Sequence, residues 1–455
     1  MKVSTDLGKD SIPSLVLRLA IPSMIAQFVN VLYSIIDRIY IGHIPEIGDL
    51  ALAGLGVCGP IVTFLSSFGT LVGLGGSVIM GIHLGEKNKE KAQQVLSNAF
   101  LMLCCFSIAL TIIFLFSKEQ LLMWFGASNI TFPYADTYMT IYTAGTFFAL
   151  MAVGLNYFIN CQGFPVAGMA TVLIGAVSNI ILDPLFIFVF KMDVAGAAIA
   201  TVISQFASCA FAICFLLSKK VHVRIRFGQY SRQVMVRILF LGFSPFMILA
   251  TDSVILILMN SILQKYGGPE QGDMLITCAT IAQSYLLMIT APMLGISGGT
   301  QAILSYNYGA QRTDRIKAAE KDILKLMCVF TTAMFLLSRL IPEYFVGMFT
   351  SDPEYFQNSI WAIHTVTLMI IPLGFQYVFV DGLTAMARTK TALFLSVFRK
   401  SLYAASIVFL PMLFTAQSAF YAEPVADIVG SILSTTIFLL VINKHLQNRE
   451  QTVIS

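Results

Sequence analysis

The stretch Asn179-Ile-Ile-Leu-Asp183-Pro184 combines residue types whose spacing could bind an ion. Asp183 is the only charged residue in the run 167–190, which is otherwise nearly all apolar. In a bilayer-spanning helix an ionised carboxylate costs about 2.5 to 3.5 kcal/mol on insertion scales, so a membrane protein that keeps one usually turns it inward and uses it. Asn179 lies four residues earlier, on the same helical face. Pro184 removes a backbone donor directly after Asp183 and loosens the turn, which can free a carbonyl to join an ion's coordination shell. The plainer alternative is a kinked helix whose Asn179 and Asp183 satisfy each other in a bundle core.

Other polar groups fall at matching depth. The first apolar segment carries Asn30, Tyr33, Asp37 and Arg38. With a rise of about 1.5 Å per residue, Asp37, Asp183 and Thr201 all land in the outer halves of their spans. Arg38 follows Asp37 but points about 100° away around a helix, so it need not neutralise it; an Asp37–Arg38 pair near the outer interface is the alternative. Asp252 follows the kink-prone Ser244-Pro245 in the seventh span, where it either couples an ion or lines a passive polar cleft. Asp381 is expected at the cytoplasmic end of the tenth span in a solvated, interfacial position. Arg399 and Lys400 are expected to snorkel from the eleventh span to the interface. Glu423 and Asp427, four residues apart in the twelfth, read as architecture more than ion chemistry.

The elements that position these groups follow from composition. The chain has 455 residues, 57% hydrophobic and only 11% charged, with a mean hydropathy of +0.81. That places it outside the soluble globular range and makes it an all-α polytopic membrane protein. A span needs about 20 apolar residues. Twelve segments qualify: 15–44, 51–84, 94–117, 134–160, 167–190, 195–218, 235–266, 274–308, 321–341, 359–386, 392–414 and 421–443. The eight cysteines sit in or beside apolar spans and read as small core residues, and the five histidines are scattered without a metal-ligand pattern. The first residues lack a cleaved-signal pattern, so the first span is expected to be retained.

Basic residues set the expected orientation. Lys87, Lys89 and Lys91, the cluster Lys219 to Arg232, Arg312, Arg315 and Lys317, and Arg388 with Lys390 mark one side. By the positive-inside rule both termini are cytoplasmic. The net charge of +4 then reports topology, not nucleic-acid binding. The basic loop divides the chain into an amino-terminal six-helix lobe (1–218), a linker (219–234), a second six-helix lobe (235–443) and a tail (444–455). The halves repeat: Gly85-Glu-Lys-Asn-Lys-Glu-Lys-Ala parallels Gly309-Ala-Gln-Arg-Thr-Asp-Arg-Ile, and Phe125-Gly-Ala-Ser parallels Phe349-Thr-Ser-Asp, both at an offset of 224 residues. Six spans per repeat predict lobes related by a pseudo-two-fold along the membrane normal, a secondary-transporter plan with substrate between them.

The chain also resembles the multidrug and toxic-compound extrusion (MATE) family, in the bacterial branch related to the staphylococcal multidrug exporter. The likeness runs through Ala20-Ile-Pro22, the Asn30 to Gly42 stretch, Asn179 to Pro184, Gly196 to Thr201, Leu241 to Phe246, Ser305 to Ala310 and Ala422 to Asp427. The resemblance implies a two-lobed antiporter, not an enzyme, that exports organic cations against a proton or sodium gradient. It places the ion site on Asp37, Asn179, Asp183 and Thr201, and puts Pro22 at the family's bending first helix and Asp252 where some members carry an acid. Pro184 is read as a second hinge from its own position, and Asn30, Tyr33 and Asp252 as a candidate substrate cavity. No cofactor is expected, and no metal beyond a sodium ion at the ion site. The expected setting is a bacterial inner membrane, with the protein a monomer. A lipid-linked precursor flippase of related architecture is the alternative, although its anionic headgroups would favour intramembrane basic residues where this chain has carboxylates. An intramembrane protease lacks its Gly-x-Gly-Asp signature, and a passive channel fits poorly with asymmetric halves carrying buried acids.

Overall fold

The computed structural model describes residues 6–45, 47–124, 131–349 and 352–451, and these are helical with short connections. In chain order the helices are α1 (Ile12–Gly42), α2 (Gly48–Gly85), α3 (Lys89–Trp124), α4 (Phe132–Ala144), α5 (Thr146–Cys161) and α6 (Pro165–Pro184). There follow α7 (Asp193–Leu217), α8 (Arg232–Gly309), α9 (Thr313–Leu340), α10 (Pro342–Val346), α11 (Pro353–Val366), α12 (Ile370–Ala385), α13 (Thr389–Leu413) and α14 (Ala422–Gln451). α8 is two helices meeting at Gly268, whose φ of 66° and ψ of −168° are open only to glycine. Among the described residues nine helices are long and apolar enough to cross a membrane, and two bent pairs raise that to 11. The predicted span 235–266 is the first part of α8.

The fourth and tenth predicted spans are broken helices. α4 and α5 meet at 57°, and α11 and α12 at 45°. The first break falls at Gly145, where a Cβ would collide with Val202, so α7 packs into the bend. In the second, Pro372 cannot donate to the carbonyl of Leu368, which ends the preceding helix a few residues earlier. Local chemistry sets other boundaries: Asn88 Oδ1 accepts from Lys91 N at 3.1 Å, and Asp352 Oδ1 caps α11 through Glu354 N and Tyr355 N at 2.9 and 3.2 Å.

The 224-residue offset recurs in the backbone. Lys87 and Gln311 both take positive φ, at 59° and 58°, as do Gly163 and Ala387, at 85° and 59°. These residues close helices by equivalent bonds: Asn88 N to His83 O and Arg312 N to Asn307 O, each 2.9 Å. Residues 125–128 of the second sequence match lie outside the described residues.

The residues fall into two compact units, one of Met1–Asp10 with Ile25–Leu249, the other of Ser11–Met24 with Ala250–Ser455. Within the first, a Cβ on Gly75 or Gly242 would strike the opposing backbone at Ile238, Gly242 or Leu71, so α2 and the start of α8 meet main chain to main chain. Within the second, Gly295 and Gly299 press in the same way on Leu19, Ser23 and Met24 of α1. Gly75 and Gly299 are again 224 apart. The basic linker is strapped to the first unit: Gln162 Oε1 accepts from Val223 N at 2.8 Å, Gln93 Nε2 donates to Arg224 O at 2.6 Å, and Asn98 Oδ1 accepts from Ser231 N at 2.8 Å.

These approaches give a stability prediction. Gly242→Ala places a methyl against the Leu71 carbonyl and is expected to cost about 1 to 3 kcal/mol, the range for overpacking. Gly56→Ala, where a Cβ meets nothing within 4 Å, is expected to be neutral or stabilising, since alanine favours helix. Thermal unfolding of the two detergent-purified variants checks this; equal midpoints would contradict it.

Candidate ion-binding site

α6 places Asn179 and Asp183 one turn apart, and they pair: Asn179 Nδ2 donates to Asp183 Oδ1 at 3.0 Å. The same amide reaches Thr201 Oγ1 on α7 at 3.4 Å, while that hydroxyl donates to Ala197 O at 3.0 Å. α7 comes this near because Gly196 lies on the Phe186 and Ile187 backbone, where a Cβ would be 2.9 Å from the Phe186 carbonyl carbon. That backbone belongs to a π-helical turn, Leu185–Val189, which starts directly after Pro184. Phe190 N bonds Leu185 O at 2.9 Å, five residues back. Pro184 has no N–H for the Ile180 carbonyl, so the helix changes register at the carboxylate.

α1 supplies Asp37, whose carboxyl interacts directly with that of Asp183. Asp37, Asn179, Asp183 and Thr201 are each at most 8% exposed. Among the described residues no ion pair involves either aspartate. Arg38 is exposed and forms no direct ion pair with Asp37 among the described residues, although its charge reaches the Asp37 carboxyl. Asp37 Oδ1, Asp183 Oδ2 and Asn179 Oδ1 are buried without a hydrogen-bond partner. Two adjacent carboxylates shielded from water cannot both hold full charge without a proton or cation between them. The orphaned oxygens are the donor set such an ion needs, and hard oxygen ligands fit sodium as well as a proton.

Three residues missed in the sequence complete the surroundings. On α4, Tyr138 and Tyr142 are buried, with rings stacked at 6.0 Å and 13°. Tyr138 lies beside Thr201 and Asp37, and Gln205 Nε2 donates to the Tyr142 hydroxyl at 3.3 Å. Their four-residue spacing within one apolar span was the available signal. Tyr33 is half-buried on α1 and within electrostatic reach of Asp37, Asp183 and Tyr142. Asn30 is exposed, and Pro22 sits within α1 two residues before the unit boundary at Met24.

The acids of the second unit are arranged differently. The Asp252 side chain is 46% exposed and ion-paired with Lys400, so Lys400 does not snorkel. Neither does Arg399: it is buried, with Nε and Nη2 donating to Asp427 Oδ1 at 3.0 and 2.8 Å and Nη2 to Glu423 Oε1 at 3.0 Å. Acids on the neighbouring helix give the guanidinium better partners than a distant interface would, and Gly430 leaves room for its stem. Asp381 departs from its expected solvated position; it is half-buried, beside Ser297 and Gln301, with Oδ2 wholly enclosed. Among the described residues no group of three His, Cys, Asp or Glu side chains could hold a metal.

Helices long and apolar enough to cross a membrane, with a buried carboxylate pair among them, define an all-α integral membrane protein. The MatE family model matches it twice, over residues 22–185 and 246–410, two stretches whose starts are 224 residues apart. The chain belongs to the MatE family. It is 23% identical over 418 residues to the multidrug export protein MepA of Staphylococcus saprophyticus, covering 90% of this chain and 89% of that protein. Its identity to the Staphylococcus haemolyticus MepA is 24%, covering 90% and 88% of the two chains. A multidrug resistance MATE family transporter of the MOP superfamily, solved in an outward-facing conformation, shares the fold with a TM-score of 0.90 at 21% identity, covering 98% of this chain and 99% of that one.

The contrast between the acid groups gives a second prediction. Arg399→Gln leaves two buried acids without their cation and is expected to cost about 3 to 5 kcal/mol, as breaking a buried ion pair does. Asp183→Asn relieves like charge and is expected to leave the melting temperature unchanged or raised. Melting of both purified variants at neutral pH checks this, and the reverse order would contradict the assignment of the two environments.

Proposed function

We propose that this protein is a secondary active exporter that moves cationic, amphiphilic small molecules out of the cell in exchange for protons or sodium ions. The observation that carries the reading is the Asp37–Asp183 pair, buried, in contact and, among the described residues, in no ion pair with a basic side chain. Membership of the MatE family and the multidrug export names of the MepA relatives support the substrate class. The flippase alternative is disfavoured because Arg399 and Lys400, in the middle of α13, are both engaged by acids and are not free for an anionic headgroup.

In this reading Asp183 and Asp37 hold the ion, Asn179 and Thr201 orient the carboxylates and lend neutral oxygens, and Pro184 with its π turn and Pro22 let α6 and α1 change shape when the ion leaves. Binding can drive export only if the ion's affinity differs between the inward- and outward-facing states. Deformable helices at the ligand set provide such a difference. Asn30 and Tyr33 in the first unit, and the half-exposed Asp252 in the second, are each assigned to substrate contact, where a carboxylate attracts a cation. Both termini are assigned to the cytoplasmic side of a bacterial inner membrane, and the working unit is a monomer.

Reconstitution into proteoliposomes with separately imposed proton and sodium gradients tests the reading. Export of a cationic dye is expected to follow one of the gradients and to fall at least tenfold in Asp183→Asn and in Asp37→Asn. Export driven by neither gradient, or full export by the double variant, would overturn it. Cysteine labelling in a background without native cysteines tests the topology: residues 219–234 are expected to be protected from an impermeant reagent outside intact cells, and labelling there would reverse the orientation.

A further inference from the structure

The second unit holds another group of buried acids without a counter-charge. Glu320 lies about two turns from the start of α9, and Asp381 about one turn before the end of α12. Glu320 is 6% exposed, and neither Oε1 nor Oε2 has a hydrogen-bond partner. Gly382 makes the room, since a Cβ there would collide with the Glu320 carboxyl. Gly374, two turns earlier on the same face, lies against Met327 and Thr331 and keeps α9 and α12 close. Asp381 is within electrostatic reach of Glu320 and faces Ser297 and Gln301 from the second helix of α8.

Those neighbours are also incompletely satisfied. Ser297 is 3% exposed and Gln301 6%; both lie close enough to interact with Asp381, but Ser297 Oγ, Gln301 Nε2 and Asp381 Oδ2 make no well-aligned hydrogen bond. Among the described residues no lysine, arginine or histidine forms an ion pair with either acid. A few turns away in the same unit, Glu423 and Asp427 have Arg399; Glu320 and Asp381 have nothing comparable. Desolvating a carboxylate costs several kcal/mol, so a purely structural role would call for a partner or an uncharged residue. Two carboxylates, a hydroxyl and an amide that can turn its oxygen inward make an oxygen-rich set for a small hard cation.

We propose that Glu320 and Asp381, with Ser297 and Gln301, form a second small-cation site that takes a proton or Na+, separate from Asp37 and Asp183. Glu320 is the principal ligand, because it is the more deeply buried acid and both its oxygens are open. Asp381 shares the charge, while Ser297 and Gln301 position it. The site concerns binding and does not depend on the exporter reading.

The test uses the full-length protein purified in detergent and carrying Asp37→Asn and Asp183→Asn, so that the first pair is silent. Equilibrium binding of radiolabelled Na+ and potentiometric counting of bound protons are measured on this background, with and without Glu320→Gln. The background protein is expected to retain one cation equivalent, and Glu320→Gln to remove it or weaken it at least tenfold. Retained Na+ identifies a sodium site, and a titrating proton without Na+ binding identifies a proton site. Either result supports the proposal. A background protein that binds neither, or Glu320→Gln leaving both readouts unchanged, would overturn it. If Glu320→Gln does not yield monodisperse protein, Asp381→Asn carries the same readouts and outcomes. Failure of gradient-driven export in the wild type would leave this binding result standing, which separates the two claims.

Discussion

Carboxylates enclosed with too little compensating charge are the constraint around which the rest of this structure is arranged. Away from water and lipid headgroups, an acid needs a cation, a proton or a set of donors. At α13 and α14 the chain supplies a fixed cation, and Arg399 ties Glu423 and Asp427 into an ion-paired group in which, of the fully buried carboxylate oxygens, only Asp427 Oδ2 lacks a partner. At α1, α6 and α7 it supplies only an amide and a hydroxyl, leaving oxygens of Asp37 and Asp183 open. The first arrangement makes architecture. The second leaves room for a proton or cation, as the proposed function requires, and the break in helical hydrogen bonding at Pro184 falls beside it.

Glycine contacts carry the other half of the account. Gly75 against Gly242 and Ile238, and Gly295 with Gly299 against Leu19, Ser23 and Met24, allow backbones to touch where lipid provides no hydrophobic drive for helices to associate. Because Gly75 and Gly299 occupy equivalent places in the 224-residue repeat, the same packing device serves each unit. It joins the first turns of α1 to the second unit and the start of α8 to the first.

Much of this was legible in the sequence, for reasons that can be named. Apolar run length locates the helices, and an i, i+4 step together with a depth count groups Asp37, Asn179, Asp183 and Thr201. The repeat was visible as matched loops and reappears as matched positive-φ residues. What stayed hidden depends on neighbours distant in sequence. Arg399 was read by its distance to an interface, but its position is decided by acids 24 and 28 residues away on another helix. Tyr138 and Tyr142 reach the site only through the bend at Gly145 and the packing of α4 on α7, which their own spacing does not reveal. Glu320 escaped notice because the predicted ninth span began at residue 321, which left it in the adjoining polar loop, whereas α9 begins at Thr313 and buries it.

The central claim, that the ion held by Asp37 and Asp183 is the one exchanged for substrate, is tested most directly by running the cycle backwards. Vesicles containing the protein are given a substrate gradient and no ion gradient, and counter-movement of protons and sodium is recorded with pH and sodium indicators. The account predicts that the wild type moves one of these ions opposite to substrate, whereas Asp183→Asn exchanges substrate for substrate and moves neither ion. Ion counter-flow at the wild-type ratio in Asp183→Asn would contradict it.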